Sequence, residues 1–328
     1  MSTLKLSVVL CTYNGKDYLS QQLDSLLKQT RLPDEVVIGD DASTDTTWEL
    51  VESFALAARK RGVTVRSIRQ PRNLGVVRNF SEMLCLADAD VLFLCDQDDV
   101  WRAEKLAEME QRFLAEPELL MLWSNARLVD GQGDDLGGTL FGALGLNTGE
   151  LRAVHEGRAF DVLLRRSMVT GATAALRQIV LKTALPVAQG WIHDEWLAMM
   201  ASCSGRIDVL EQRLIDYRQH AHNQVGMRRR TIVDKWHDMI RPRRDLLLME
   251  VRRLEVLEAR LSQRRELVDG GRLSQLSNKR RHLLERIAMG RCSRWKRFPA
   301  ILREAWTGNY RRYGTGGRTM LRDLLRHD

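Results

Sequence analysis

The sequence predicts an α/β protein with a mostly parallel central sheet flanked by helices, extended at the C-terminus by a basic helical segment. Three observations predict it. Over the first hundred residues, short apolar runs with the length of buried strands alternate with segments of helical period. Polar and acidic residues cluster where those runs stop. The charge is also divided: from Arg228 to Asp328 there are 27 Lys+Arg against 12 Asp+Glu, leaving 24 against 31 before it, within a net charge of +8. The acidic body reads as enzymatic or binding, and the basic segment as meeting something anionic: lipid headgroups, nucleic acid or an acidic polymer.

Leu6-Ser7-Val8-Val9-Leu10-Cys11 is the first strand, broken by Thr12-Tyr13-Asn14-Gly15, and Leu19, Leu23, Leu26 and Leu27 then fall on one helix face. Glu35-Val36-Val37-Ile38-Gly39 is the second strand, ending at Asp40-Asp41-Ala42-Ser43-Thr44-Asp45. A helix follows, capped by Ser43, Thr44 or Asp45, with Trp48, Val51, Phe54, Ala55 and Ala58 on one face. Val63–Ile68 is the third strand, Pro71–Gly75 a loop and Val76–Leu86 a helix. The fourth strand, Val91–Cys95, runs into Asp96-Gln97-Asp98-Asp99-Val100-Trp101. In a parallel sheet such ends line the ligand crevice, so Tyr13, Asp40, Asp41 and Asp96 to Asp99 converge. The carboxylates after the fourth strand suit a divalent metal, Mg²⁺ or Mn²⁺, which substrate phosphates usually complete; Asp98 or Asp99 reads alternatively as a cap for a helix near Trp101.

The 328 residues, 44% hydrophobic and 29% charged, suffice for a sizeable domain plus an appendage. Cys11, Cys85, Cys95, Cys203 and Cys292 are scattered without a Cys-x-x-Cys pair, which argues against a disulfide framework or zinc site and fits a reducing cytosol. No run approaches the roughly 20 apolar residues of a membrane span, and the first strand is too short for a signal peptide. Neither a Gly-x-Gly-x-x-Gly loop nor a Gly-x-x-x-x-Gly-Lys-Ser/Thr loop is present, so the sheet needs another phosphate-holding device.

Taken together, Val8 to Asn14, Asp40 to Asp45, Asn73-Leu74-Gly75 with Arg78-Asn79, and Asp96-Gln97-Asp98-Asp99 resemble the inverting glycosyltransferases of family 2, which have the GT-A nucleotide-diphospho-sugar transferase fold. The resemblance covers residues 4 to 226, more loosely through Thr170-Gly171-Ala172, His193-Asp194-Glu195-Trp196 and Tyr217-Arg218-Gln219-His220. It implies that Thr12, Tyr13 and Asn14 hold the donor nucleotide, with Tyr13 stacked on the base and Asp41 accepting a ring N–H. A carboxylate accepts from the imide N–H of uracil or thymine but not from cytosine, so a uridine or thymidine donor is expected. The resemblance also implies Asp96 near the ribose, Asp98 and Asp99 on the metal and Arg78 near phosphate. On their own, Tyr13 reads as a packing aromatic, Asp40 and Asp41 as helix-start signals and Arg78 as a surface residue.

Leu119–Trp123 is a further strand, residues 131 to 160 read as a long glycine-rich loop suited to a lid, and Ser167–Leu176 as a strand. An inverting transfer needs one general base, and the resemblance assigns it to Asp194, with Trp191, Trp196, Thr170 and Gly171 near the acceptor. The alternative is that Asp194 opens a helix with Trp196 on its core face. His220 is a candidate metal ligand or a structural histidine. The local sequences look particularly like the branch that uses dTDP-L-rhamnose.

The tail is helical from Thr231, with Ile232, Trp236, Met239 and Ile240 on one face; it reads as a hairpin with a solvated basic face or as a surface for an anionic membrane leaflet. The expected organisation is a nucleotide-sugar-binding half at residues 1–110, an acceptor-binding half at 111–227 and a basic helical extension at 228–328. The expected activity is metal-dependent transfer of a sugar from a dTDP- or UDP-sugar to a lipid-linked or lipopolysaccharide glycan, in the cytoplasm or on the inner membrane's cytoplasmic face. Nucleic-acid binding is the rival from another class, without a recognisable binding motif to support it.

Overall fold

The runs that begin at Leu6, Glu35 and Val91 become strands buried along their whole length, as near-continuous Val, Leu and Ile require when both faces of a sheet are covered. The computed structural model describes residues 3–220, 241–263 and 270–326. Its first half is β1 (Leu6–Thr12), α1 (Leu19–Leu27), β2 (Glu35–Asp40), α2 (Thr47–Lys60), β3 (Thr64–Arg69), α3 (Val76–Leu86) and β4 (Val91–Cys95). These strands lie in the order β3-β2-β1-β4, all parallel, with Thr12 beside Asp40 and Leu10 beside Cys95. The register therefore brings three strand ends to one edge. The N-cap of α2 is Thr46, and Asp45 just before it accepts the Thr47 N–H at 3.0 Å.

The second half comprises β5 (Val100–Trp101), α4 (Lys105–Ala115), β6 (Leu119–Val129), β7 (Asp135–Thr139), α5 (Leu140–Leu144), α6 (Thr148–His155), α7 (Ala159–Leu163), β8 (Ala174–Arg177), α8 (Leu181–Ala184), α9 (His193–Ser204) and β9 (Arg206–Arg218). Here the sheet is mixed. β8 runs antiparallel to both β4 and β6, β7 antiparallel to β6 and β5 antiparallel to β9, while β6 and β9 are parallel. Two of these pairings shape the site. Antiparallel β8 brings the turn before it to the carboxyl end of β4, and two-residue β5 ties the chain just after Asp99 to the end of β9.

The long loop expected over residues 131 to 160 is instead β7, α5 and α6. Asn147 accepts the Glu150 N–H at 3.0 Å while the Glu150 carboxylate accepts from the Asn147 N–H at 3.3 Å, a capping box that stabilises an otherwise weakly periodic helix. The strand expected at Ser167–Leu176 is confined to β8, after a tight turn at Gly171–Thr173.

The chain divides into two units: the described residues within Met1–Ala159, Met168–Val187 and Ile192–Met227 form one, and those within Phe160–Ser167, Ala188–Trp191 and Arg228–Asp328 the other. In the second, helix Arg244–Ser262 buries Leu247, Val251, Leu254, Leu257 and Leu261, and helix Gly270–Gly290 buries Leu276, Leu283 and Ile287. Helices Arg294–Trp306, Asn309–Arg312 and Gly317–Leu325 follow. Part of the basic surplus turns inward: the Arg286 guanidinium donates to both Asp323 oxygens at 2.7 and 3.1 Å, and the Tyr310 hydroxyl donates to Asp323 at 3.0 Å. Ile232, Trp236, Met239 and Ile240, and Ala221 to Gln224, lie outside the described residues.

Gly39 lets β2 pack closely against α3. A Cβ there would lie 2.5 Å from Met83 Cγ and 2.6 Å from Asn79 Oδ1, and Asn79 donates to the Gly39 carbonyl at 2.8 Å. Gly39→Ala is expected to lower stability by roughly 1–3 kcal/mol, read as a reduced urea midpoint with unchanged m-value.

Candidate active site

The loops after β1, β2 and β4 are joined by side chains before any ligand is considered. Gln97 Oε1 accepts from the Thr12 hydroxyl at 2.6 Å and from the Tyr13 N–H at 2.8 Å, and its amide donates to the Tyr13 carbonyl at 3.2 Å. The Asn14 N–H donates to Ser43 Oγ at 2.9 Å, and Asn14 Oδ1 accepts the Thr44 N–H at 2.9 Å. Both oxygens of buried Asp41 accept backbone N–H groups, from Leu74 at 2.6 Å and Gly75 at 2.8 Å. Asp40 is fully buried, accepting from the Ser43 N–H and hydroxyl; burial raises its carboxyl while those bonds act against the rise. Asn14 and Ala42 hold φ of 48° and 63°, a left-handed conformation disfavoured for residues with a Cβ, and both sit at these turns. Tyr13 is 45% exposed above this frame, with its ring available.

The acidic end of β4 sorts its carboxylates by direction. Asp99 points inward, 1% exposed: Oδ1 accepts the Arg218 N–H at 3.0 Å, while Oδ2 has no hydrogen-bond partner. Burial, then Asp98 and Asp96, push the Asp99 carboxyl well up. It anchors β9 and is withdrawn from the exposed cation position expected for it. Asp98 meets His220 Nε2 at 3.0 Å, and the His220 ring stacks on Tyr18 at 4.8 Å. Arg218 is buried beneath, donating to the Asp98 carbonyl at 2.8 Å and to Gln21 Oε1 at 2.7 Å. Burial, then Asp98 and Asp194, push the Asp96 carboxyl up to about 7, with Lys105 acting the other way. Asp96, Asp98 and Asp194 are thus within electrostatic reach of one another.

Asp194 lies in the first turn of α9. Its Oδ2 accepts the Gly171 N–H at 2.9 Å and its Oδ1 the Glu195 N–H at 2.7 Å, so backbone donors orient both oxygens. Gly171 packs tightly here: a Cβ would lie 3.1 Å from His193 Nε2 and 3.4 Å from Asp194 Cβ. His193 stacks on Phe80 at 4.1 Å, and burial lowers its pKa. Lys105, fully buried, donates to the Ala172 carbonyl at 2.9 Å and lies 3.7 Å over the Trp101 ring. Burial lowers its amine to about 7, while Cys95, Asp99 and Asp96 favour its charge.

Several expected residues have other work. Trp196 has no exposed surface and its indole N–H donates to the Ala184 carbonyl, so it presents no ring face to a sugar. Trp191 is 8% exposed, covered by the Arg253 guanidinium at 4.0 Å. Thr12 is 2% exposed and its hydroxyl is engaged by Gln97, while exposed Asn14 commits its side-chain oxygen to the Thr44 N–H. Arg78 is paired with Glu82 at 3.0 Å. Lys105, Gln97 and Arg218 had no assigned role. A signal for Lys105 existed, since Lys105, Met109 and Phe113 share the buried face of α4 and a lysine at such a position needs a reason. Among the described residues no three His, Cys, Asp or Glu side chains form a complete cation cage. Asp98 with His220 is a partial donor set, such as Mg²⁺ or Mn²⁺ completes with water and phosphate oxygens.

Residues 7–140, the stretch from β1 through β7, match the profile of glycosyl transferase family 2. Over that stretch the chain is similar to the family 2 glycosyltransferases. The same architecture recurs in solved GT-A glycosyltransferase structures. Staphylococcus aureus TarS residues 1–349 in complex with UDP-GlcNAc superposes with a TM-score of 0.55 at 19% identity, covering 97% of this chain and 90% of that one. The Pyrobaculum calidifontis mannosyltransferase PcManGT, in complex with GDP-Man and Mn²⁺, gives 0.50 at 17% identity, covering 99% and 86%. An uncharacterized Mycobacterium tuberculosis protein is 28% identical over 221 residues, 66% of this chain and 59% of its own length, so the match spans only part of that relative. The dTDP-rhamnosyl transferase RfbG of Shigella flexneri is 30% identical over 100 residues, 30% of this chain and 34% of its own. The family profile thus spans the turns at Tyr13, Asp41 and Asp96 to Asp99, while Asp194 and His220 lie beyond it.

The raised Asp96 carboxyl has a pH signature. It titrates near 3.8 when unfolded and about 7 when folded, so its protonated form contributes stability fully present below the lower value and lost as pH rises through the upper. Asp96→Asn is expected to stabilise the ligand-free protein by roughly 1–3 kcal/mol at a pH above that range, with the gain shrinking as pH falls and vanishing only below about pH 4. Thermal unfolding across pH checks this.

Proposed function

We propose that the chain is an inverting glycosyltransferase that transfers a sugar from a nucleoside diphosphate donor, dTDP-L-rhamnose first among candidates, to a bacterial surface glycan such as lipopolysaccharide core or O-antigen. The observation that carries the reading is that Asp96 feels both Asp98, from the turn after β4, and Asp194, from the first turn of α9, while Gln97 of the same turn is fastened to exposed Tyr13. Three carboxylates gathered beside a buried lysine leave a strong preference for a cation at their exposed end. Names of relatives support a deoxysugar donor: besides RfbG, the abequosyltransferase RfbV of Salmonella typhimurium is 32% identical over 113 residues. A UDP-hexose or UDP-N-acetylhexosamine donor is the second reading, favoured by the TarS complex with UDP-GlcNAc.

In this reading Tyr13 stacks on the base. Asp41, held by the Leu74 and Gly75 amides, keeps lone pairs for the imide N–H of thymine or uracil. Asp96 accepts from the ribose. Asp98 and His220 would hold a divalent cation, which when bound supplies charge neutralisation for the departing diphosphate. Asp194 takes the proton from the acceptor hydroxyl as that oxygen bonds to the anomeric carbon and the carbon–phosphate oxygen bond breaks from the opposite face. Its bonds to the Gly171 and Glu195 N–H groups fix its orientation. No described helix is long and apolar enough to cross a membrane.

Following nucleoside diphosphate release across a panel of dTDP- and UDP-sugars, with Mn²⁺, Mg²⁺ or chelator, tests the reading. Turnover that requires cation and is lost in Asp98→Ala is expected; absence of binding and turnover for every sugar nucleotide overturns it. Asp194→Asn is expected to keep donor affinity while kcat falls by roughly 10²–10⁴-fold. Unchanged transfer removes Asp194 as the base.

A further inference from the structure

Helix Arg294–Trp306 has two faces of opposite character. Inward, Ile301 packs with Met289 and Tyr310, and the buried Arg297 guanidinium donates to the carbonyls of Gly290, Cys292, Asp323 and Arg326. Glu304 accepts from Asn309 at 2.9 Å and pairs with His282 at 2.6 Å. These bonds set the helix's rotation. Outward, Trp295 is 90% exposed, Trp306 94%, Phe298 51% and Leu302 49%. At roughly 100° per residue the four fall in one stripe about 80° wide. Arg294 borders the stripe on one side, Lys296 and Arg303 on the other, all exposed.

We propose that this face docks on an anionic lipid bilayer, the helix lying in the headgroup region with Trp295 and Trp306 at the interface and the basic borders against lipid phosphates. Indole prefers this depth because its ring is apolar and its N–H needs a polar partner. The borders are net positive, with Arg303 paired to Glu285 at 2.9 Å, and this surplus complements anionic headgroups and opposes a second identical copy. The stripe is also small for a protein partner. Its four side chains expose roughly 600 Å², short of the roughly 800 Å² per partner of a standard interface. The proposal goes beyond the transferase reading and does not depend on it.

The test is sedimentation of the full chain with vesicles of phosphatidylcholine alone and of phosphatidylcholine mixed with phosphatidylglycerol. Binding to the mixed vesicles, weakened by salt, is expected. The double variant Trp295→Ser, Trp306→Ser is expected to bind at least about tenfold more weakly while keeping the unfolding midpoint of the wild type. Lys296→Glu should weaken binding to the anionic vesicles as well. No vesicle binding, binding unchanged in the double tryptophan variant, or a wild-type dimer that the same variant disperses in sedimentation equilibrium would each overturn the proposal. Sugar-nucleotide binding, measured in parallel, separates failure of this surface from failure of the transferase reading.

Discussion

Carboxylates held near one another in a desolvated place repel, and the structure around β4 is arranged against that repulsion. Asp96, Asp98 and Asp99 leave the strand within four residues, and α9 adds Asp194. Asp99 is turned into the interior, where the Arg218 N–H holds one oxygen. Lys105 is buried against the cluster, its amine lowered to about 7 by burial while Cys95, Asp99 and Asp96 favour its charge, and its bond to the Ala172 carbonyl ties it to the turn whose Gly171 N–H holds Asp194. Asp194 itself rests on backbone donors. What is left outward is Asp98 with His220, and Asp96, whose high titration records the unrelieved part.

The neighbouring loops serve the same end by a different means. Gln97 lies between Asp96 and Asp98, and its amide is fastened to Thr12 and Tyr13, so the acidic turn and the first turn cannot move apart. Asn14 fastens the first turn to the second through Ser43 and Thr44, and Asp41 fastens the second to Leu74 and Gly75. The left-handed Asn14 and Ala42 are the local cost of bringing three turns to one edge. Preorganisation of this kind lets a site accept a charged ligand without reorganising its own dipoles.

In the C-terminal unit, net charge alone misdescribes the surface. Arg286, Arg297 and Arg326 are buried, holding Asp323 and backbone carbonyls, so part of the basic surplus is internal architecture. The remainder that faces out along helix Arg294–Trp306 borders an aromatic stripe, and that combination distinguishes a docking face from a merely solvated one.

The sequence by itself determined the parallel half of the sheet and the positions of its turns. Buried parallel strands read as unbroken apolar runs, and Tyr13, Asp41 and Asp96 to Asp99 stand directly at their ends, so one periodicity locates both. At His193-Asp194-Glu195-Trp196 two readings stood open, an acceptor-side tryptophan or a helix opened by Asp194 with Trp196 on its core face, and the structure takes the second for Trp196 because the core side of α9 is fixed by tertiary packing. The antiparallel second half escaped notice, as did the α6 capping box despite its Asn-x-x-Glu pattern, since short polar elements draw their stability from caps and pairing partners. Only the tertiary structure decided that Asp99 faces inward, that Lys105 lies among the carboxylates, and that Arg218 and His220 meet Asp98. These contacts span up to 122 residues of chain, and the β5–β9 pairing that creates them leaves no local mark in either segment.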